Sequence, residues 1–215
     1  MDIRLHHLMP RPLQDKPMAA ASDIWGKDVT LNAGQCIKIT ARSGRGKTTL
    51  VHFLSGLRYD YAGTIQIGTY NPLTCNSEEL ATLRRESLSV VFQDLRLFPQ
   101  LSIRENTELK KFLPRHPLRN NTIEDMAGQL EIETLLDTPA AACSYGEQQR
   151  AAILRALVQP FQWLILDEPF SHLDNINRNK AIALISSVAK EQNAGIILLD
   201  LEPDNYFPYH HQLQL

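Results

Sequence analysis

The sequence predicts an α/β fold: a mainly parallel sheet with helices between its strands and a small helical unit in the second half of the chain. Three observations point there. An alternating apolar run, Gln35–Thr40, leads through a loop of small and basic residues into a helix-patterned run, Leu50–Leu54. Two continuous apolar runs, Trp163–Leu166 and Ile196–Leu199, fit strands buried on both faces of a parallel sheet. Residues 110–142 hold Pro114, Pro117 and Pro139 around a helix-like middle, Ile123 to Leu136, which reads as a separate, mostly helical subdomain.

Residues 1–24 begin with a weak strand and then meet Pro10, Pro12 and Pro17. Proline removes N–H donors and fixes φ, so this part is expected to be mostly loop. Val29–Leu31 resumes a strand, and Gly34 turns the chain into the run that starts at Gln35. Thr64–Ile67 alternates as a strand before the Asn71-Pro72 turn. Asn76 and Ser77 are N-cap candidates for a helix to about Arg85, with Glu78 and Glu79 in its first turn. Leu88–Phe92 is the next buried strand and ends at Gln93; Phe98-Pro99 and Ser102 start a short helix through about Leu109. Gly146–Val158 is rich in good helix formers and stops at Pro160. Asn175–Gln192 is a further helix broken by Gly195, and the tail from Tyr209 to Leu215 fits a short edge strand.

The chain has 215 residues, 43% hydrophobic and 21% charged, which suits one globular domain with a sizeable core. A net charge of -2 offers no global basic field for nucleic acid. Cys36, Cys75 and Cys143 are dispersed without metal-ligand spacing, as in a reducing compartment, and Cys36 falls on a core strand position. No apolar run approaches the roughly 20 residues of a membrane span, and the first residues lack the apolar stretch of a signal peptide. A cytoplasmic chain is expected, with any membrane association supplied by a partner.

The loop between the first two motifs reads Ala41-Arg42-Ser43-Gly44-Arg45-Gly46-Lys47-Thr48-Thr49. Strand, loop, Lys-Thr and helix form the setting of a phosphate-binding loop. Gly44 and Gly46 lack Cβ atoms, so the backbone can curl and aim its N–H groups inward. The helix that follows adds roughly half a positive charge at its N-terminus. Lys47 can reach β- and γ-phosphates, and the Thr48 hydroxyl can hold Mg²⁺. Ala41 replaces the first glycine of the general pattern and fits only if its φ is negative or mildly strained. At the end of the run from Trp163, Asp167 can hold a Mg²⁺ shell and Glu168 can polarise the water that attacks a γ-phosphate.

A third motif, Cys143-Ser144-Tyr145-Gly146-Glu147-Gln148-Gln149-Arg150, joins these, together with Gln93 and Ser171-His172-Leu173-Asp174. In this order the set resembles the ATP-binding cassette ATPases, whose signature is Leu-Ser-Gly-Gly-Gln followed by Gln-Arg. The resemblance spans nearly the whole chain. It implies a P-loop NTPase core with a mainly parallel sheet, an N-terminal antiparallel β portion and a small α-helical subdomain, in one nucleotide-binding domain over 1–215. The core would take about 1–92 and 150–215, the helical subdomain about 93–149. It implies ATP and Mg²⁺ as ligands, with residues 41–49 around the phosphates, Thr48, Gln93 and Asp167 about the metal, and Glu168, Lys47 and Gln93 as the catalytic group. It also implies a head-to-tail dimer, with this chain or a paralogue, in which Ser144, Tyr145, Gly146 and Glu147 meet the ATP of the opposite cassette and Asp174 lies on the seam. The segment Arg84–Asp94, with Leu97-Phe98-Pro99 and Glu105-Asn106, is most similar to the branch of lipoprotein-release, macrolide-export and cell-division ATPases.

The chain departs from that pattern beyond Ala41. Tyr145 replaces the signature's first glycine and Glu147 its glutamine. Residues 8–24 hold no aromatic to stack on adenine; Met18 lies near the expected place, and Trp25 reads as core. Asp200 replaces the histidine expected after the last core strand, so an acid stands where a donor to the γ-phosphate belongs. Arg45 could offset this with positive charge; His172, His210 and His211 read as seam or surface residues. The resemblance implies an ATPase subunit at the inner face of a membrane, driving a separate permease, with hydrolysis slowed by these changes. The alternative is a non-transport ATPase that regulates a membrane or cell-wall complex. A nucleic-acid-linked cassette is disfavoured, because those carry two cassettes or a long coiled coil.

Overall fold

The computed structural model describes residues 1–14, 21–111 and 122–215. Met18, Pro17, Pro114 and Pro117 lie outside the described residues. Five parallel strands form the central sheet: β3 (Cys36–Thr40), β5 (Leu88–Val91), β6 (Trp163–Asp167), β7 (Gly195–Asp200) and β8 (His211–Gln214), in the order β5-β6-β7-β3-β8. A second, antiparallel sheet takes β1 (Ile3–Pro10), β2 (Asp28–Leu31) and β4 (Tyr61–Ile67) in the order β2-β1-β4. Among the described residues, six α-helices complete the frame: α1 (Lys47–Leu54), α2 (Ser77–Glu86), α3 (Ile103–Lys111), α4 (Ile123–Gln129), α5 (Tyr145–Leu157) and α6 (Asn175–Gln192). No helix among the described residues is long and apolar enough to cross a membrane.

Alternation along the buried strands divides the core in two. Leu164, Leu166, Ile196 and Leu198 face one side of the sheet with residues of α4, α5 and α6. Trp163, Ile165, Ile197, Leu199, Ile37 and Ile39 face the other, with α1 and the antiparallel sheet. Both faces are covered, which is why β6 and β7 read as unbroken apolar runs. Cys36 is buried, and burial pushes its thiol up to about 12.

Several elements differ from expectation. The opening strand is longer than a weak start: β1 runs eight residues, and Pro10 still pairs with Tyr61 before a short 3-10 turn at Arg11–Leu13. The helix expected over Ile123–Leu136 stops at Gln129. The chain turns through Glu131 at φ +54 and re-enters a 3-10 turn at Glu133–Leu135, which lets Leu130, Ile132 and Leu136 all reach the core. Helix α6 spans Asn175–Gln192 as expected, but the residue that stops it is Asn193, in the left-handed conformation, rather than Gly195. Gly195 answers to packing: a Cβ there would lie 2.4 Å from the fully buried Trp163 ring. Gly195→Ala should therefore lower stability by about 1–3 kcal/mol, read as a fall in the urea midpoint at unchanged m-value.

Candidate active site

The loop from Ala41 to Thr49 joins the end of β3 to α1 at the carboxyl edge of the parallel sheet. Gly44 at φ +76 and Gly46 at φ +100 take the left-handed turns that the sequence suggested, and Gly46 is the N-cap of α1. The turn is backed by Trp25. Its indole Nε1 donates to the Arg45 carbonyl at 3.3 Å, and a Cβ on Gly46 would meet the ring at 3.1 Å. Trp25 is core, as expected, and it also forms the floor of the loop. Ala41 is not among the residues with positive φ, so its methyl group brings no strain. Its N–H donates to the Asp200 carbonyl at 3.0 Å and its carbonyl accepts from Lys47 Nζ at 2.9 Å.

A cavity of about 310 Å³ opens over this loop, lined by Ser43, Gly44, Gly46, Lys47, Thr48 and Thr49, by Gln93 and Glu168, and by Pro10, Pro12, Leu13 and Arg58. Ala41, Arg42 and Arg45 border a separate cavity of about 480 Å³ with Thr40, Leu201 and Leu215.

Lys47, Thr48, Gln93 and Glu168 meet at the cavity, with Asp167 behind Thr48. Lys47 Nζ pairs with Glu168 Oε1 at 3.2 Å. Thr48 Oγ1 donates to Asp167 Oδ2 at 2.9 Å and lies 3.4 Å from Gln93 Oε1. Gln93 Nε2 reaches Glu168 Oε2 at 3.5 Å. Asp167 is fully buried; burial pushes its carboxyl up to about 6, opposed by the Thr48 hydrogen bond and reinforced by the Glu168 charge. Its Oδ1 has no hydrogen-bond partner. A buried, unsatisfied carboxylate oxygen beside a threonine hydroxyl is the donor set a hard divalent cation takes. Glu168 itself adopts φ +48, a left-handed conformation that costs a non-glycine residue about 1–2 kcal/mol and that clusters at working sites.

The signature starts α5. Ser144 is its N-cap, and Glu147 closes a capping box: Glu147 Oε2 accepts from the Ser144 amide and hydroxyl, each at 2.7 Å. Those bonds hold the Glu147 carboxyl below its usual range and turn its charge back onto Ser144. Gly146, in the first turn, has the His172 carbonyl 3.1 Å from where a Cβ would stand. The Tyr145 ring packs on His172, centroids 4.3 Å apart, and its hydroxyl reaches the Gln93 carbonyl at 3.4 Å. Gln149 ties the two regions: Nε2 donates to the Glu168 carbonyl at 3.2 Å and Oε1 accepts from the His172 amide at 3.0 Å. Asp174 caps α6, accepting from the Asn177 amide at 2.8 Å, and those bonds lower its pKa.

Asp200 ends β7 beside the loop, with Oδ1 accepting from the Leu201 amide at 2.7 Å. Its other oxygen is 3.7 Å from Lys38 Nζ. Lys38 lies in the middle of β3, 0% exposed, and also pairs with Asp204, which accepts from the Tyr209 hydroxyl. Burial and that hydrogen bond push the Tyr209 phenol well above its usual pKa. Nothing local in the sequence marks this network, because Lys38 and Asp204 are far apart in the chain.

The fold and the cavity define a nucleotide-binding domain of the P-loop type. A family model described as "ABC transporter" matches residues 26–171. This chain belongs to that family, as one of its ATP-binding cassette ATPases. It is 33% identical over 174 residues to the uncharacterized ABC transporter ATP-binding protein YvcR of Bacillus subtilis, covering 80% of this chain and 67% of the relative. It is 31% identical over 176 residues to the lipoprotein-releasing system ATP-binding protein LolD of Legionella pneumophila, covering 81% and 78%, which agrees with the branch that Arg84–Asn106 resembles. Among solved structures it shares its fold with MJ0796, a bacterial ABC transporter cassette in dimeric form, at a TM-score of 0.79 and 23% identity over 93% of this chain and 88% of that one.

Proposed function

We propose that this chain is the ATP-hydrolysing subunit that powers a separate membrane permease. It works as a head-to-tail dimer with itself or a paralogous cassette, at the inner face of the cell membrane. The observation that supports this best is the meeting of Lys47, Thr48, Gln93, Asp167 and Glu168 around one cavity. The phosphates lie against the amides of Ser43–Thr49, and Lys47 moves from Glu168 to the β- and γ-phosphates. Pro10, Pro12 and Leu13 give an apolar wall for adenine in place of an aromatic ring. Thr48 and Asp167 hold Mg²⁺, with Gln93 beside them, and the ion when bound neutralises charge on the phosphates. Glu168 orients and polarises the attacking water. Ser144, Tyr145, Gly146 and Glu147 complete the site of the opposite cassette, with Asp174 on the seam. Residues 93–149 act as the helical lobe that meets the permease.

Turnover is slow in this reading, because Asp200 offers no proton donor to the γ-phosphate and Tyr145 crowds the seam. Asp200→His, assayed for phosphate release with the partner cassette present, should raise the rate about tenfold or more, since one preorganised donor is commonly worth 10²–10³. An unchanged rate contradicts that role for Asp200. The function itself is tested with the chain bound to solubilised membranes. A membrane-spanning protein should co-purify and stimulate ATP hydrolysis, and Lys47→Ala should abolish the stimulated rate. Co-purifying nucleic acid with no membrane protein would overturn the proposal.

A further inference from the structure

We propose that His6, His7 and Asp28 form a surface site for a divalent transition-metal ion of the zinc or nickel class. Adjacent residues of a strand ordinarily point to opposite faces. Here the register of β1 on β4 slips between His6 and Met9, and His7 takes φ +45. The bulge brings both rings to one side, 4.5 Å apart between centroids. It is matched on β4 by Gly63, at φ +83, where a Cβ would lie 2.4 Å from the His6 and His7 carbonyl oxygens. Asp28 stands opposite His6 in the β1–β2 register, so its carboxylate meets the pair.

The donor atoms are ordered for a cation. All three ligand atoms lie within 4.8 Å of one another. His6 Nδ1 is 2.6 Å from Asp28 Oδ1, and His7 Nε2 is 3.9 Å from the same oxygen. His7 Nδ1 is 2.9 Å from the Gly26 carbonyl, which can only accept, so Nδ1 carries the hydrogen. In the neutral ring that leaves the Nε2 lone pair directed toward a carboxylate. Asp28 Oδ1 accepts from His6 Nδ1 and from the His7 amide at 3.3 Å, so a cation bound among the three ligands would take the place of the His6 proton; a backbone carbonyl on the far ring nitrogen is the usual second support of a metal-bound histidine. Two imidazoles with one carboxylate suit zinc, nickel or copper, whereas calcium and magnesium prefer oxygen alone. None of the three residues lines the nucleotide cavity. A bound ion would tie β1 to β2 and, through Gly26, hold the segment carrying Trp25 under the phosphate loop.

The test is titration of the purified full chain with Ni²⁺, followed by calorimetry and by thermal unfolding. The parent should bind one equivalent more than His7→Ala or Asp28→Asn, and its unfolding midpoint should rise with metal. In the variants the affinity at this site should fall about tenfold or more, and the rise should vanish. ATP binding at the parent's level shows that each variant is folded. A parent chain without that additional equivalent, or folded variants that keep it, would overturn the site.

Discussion

Glu168→Gln should stop turnover while leaving ATP bound. Hydrolysis by the chain with its partner cassette is expected to fall about 10²–10⁴-fold, the usual worth of a positioned general base. Glu168 is the only carboxylate among the described residues lining the nucleotide cavity, and its side chain is held there by Lys47 at 3.2 Å and Gln93 at 3.5 Å, with its own amide on the Leu199 carbonyl at 2.9 Å. Glutamine keeps the shape and loses the charge. Lys47 is then released from its ion pair, so ATP should bind at least as tightly as to the parent. Phosphate release measured beside equilibrium ATP binding separates the two effects. Unchanged turnover would remove Glu168 from the chemistry; lost binding would make it a structural support of the loop.

Lys38→Met should have the largest effect on stability. A fully buried ammonium is flanked by Asp204, 9% exposed, and by Asp200. Removing one partner of such a pair costs about 3–5 kcal/mol, because the remaining charge is left in an apolar setting. Urea unfolding should show that loss as a lower midpoint. The double variant Lys38→Met, Asp204→Leu replaces the ion pair with apolar packing, which is often neutral or stabilising, and should recover most of it. If the single variant unfolds at the parent's midpoint, Lys38 is not a charged buried partner. If the double variant is no better than the single, the loss lies in packing.

The second half of the site was the most legible in the sequence, for a physical reason. Strands such as Trp163–Asp167 are covered on both faces, so their apolar run and its terminal acids leave a local signal. The loop at Gly44–Lys47 is legible because left-handed turns demand glycine there. The cap at Asn76 is local too, and the structure uses it as the N-cap of α2, whereas the capping roles of Ser144 and Asp174 were not read from the sequence. Non-local features were not legible. Lys38 reads as an ordinary interruption of a strand until its partners arrive through the loop after β7. Pro10, Pro12 and Leu13 looked like loop residues, yet they wall the cavity because β1 carries the chain to its rim. The bulge at His6–Met9 has no marker in β1 itself; its cause is Gly63, more than fifty residues on.

Every proposed role of this chain depends on phosphates seated on the loop before α1. The most direct measurement is calorimetric titration of the purified chain with ATP and Mg²⁺, run beside Lys47→Ala. Saturable binding of one ATP per chain, lost or greatly weakened in Lys47→Ala, is the predicted result. No heat of binding at millimolar ATP, or equal binding by the variant, would contradict it.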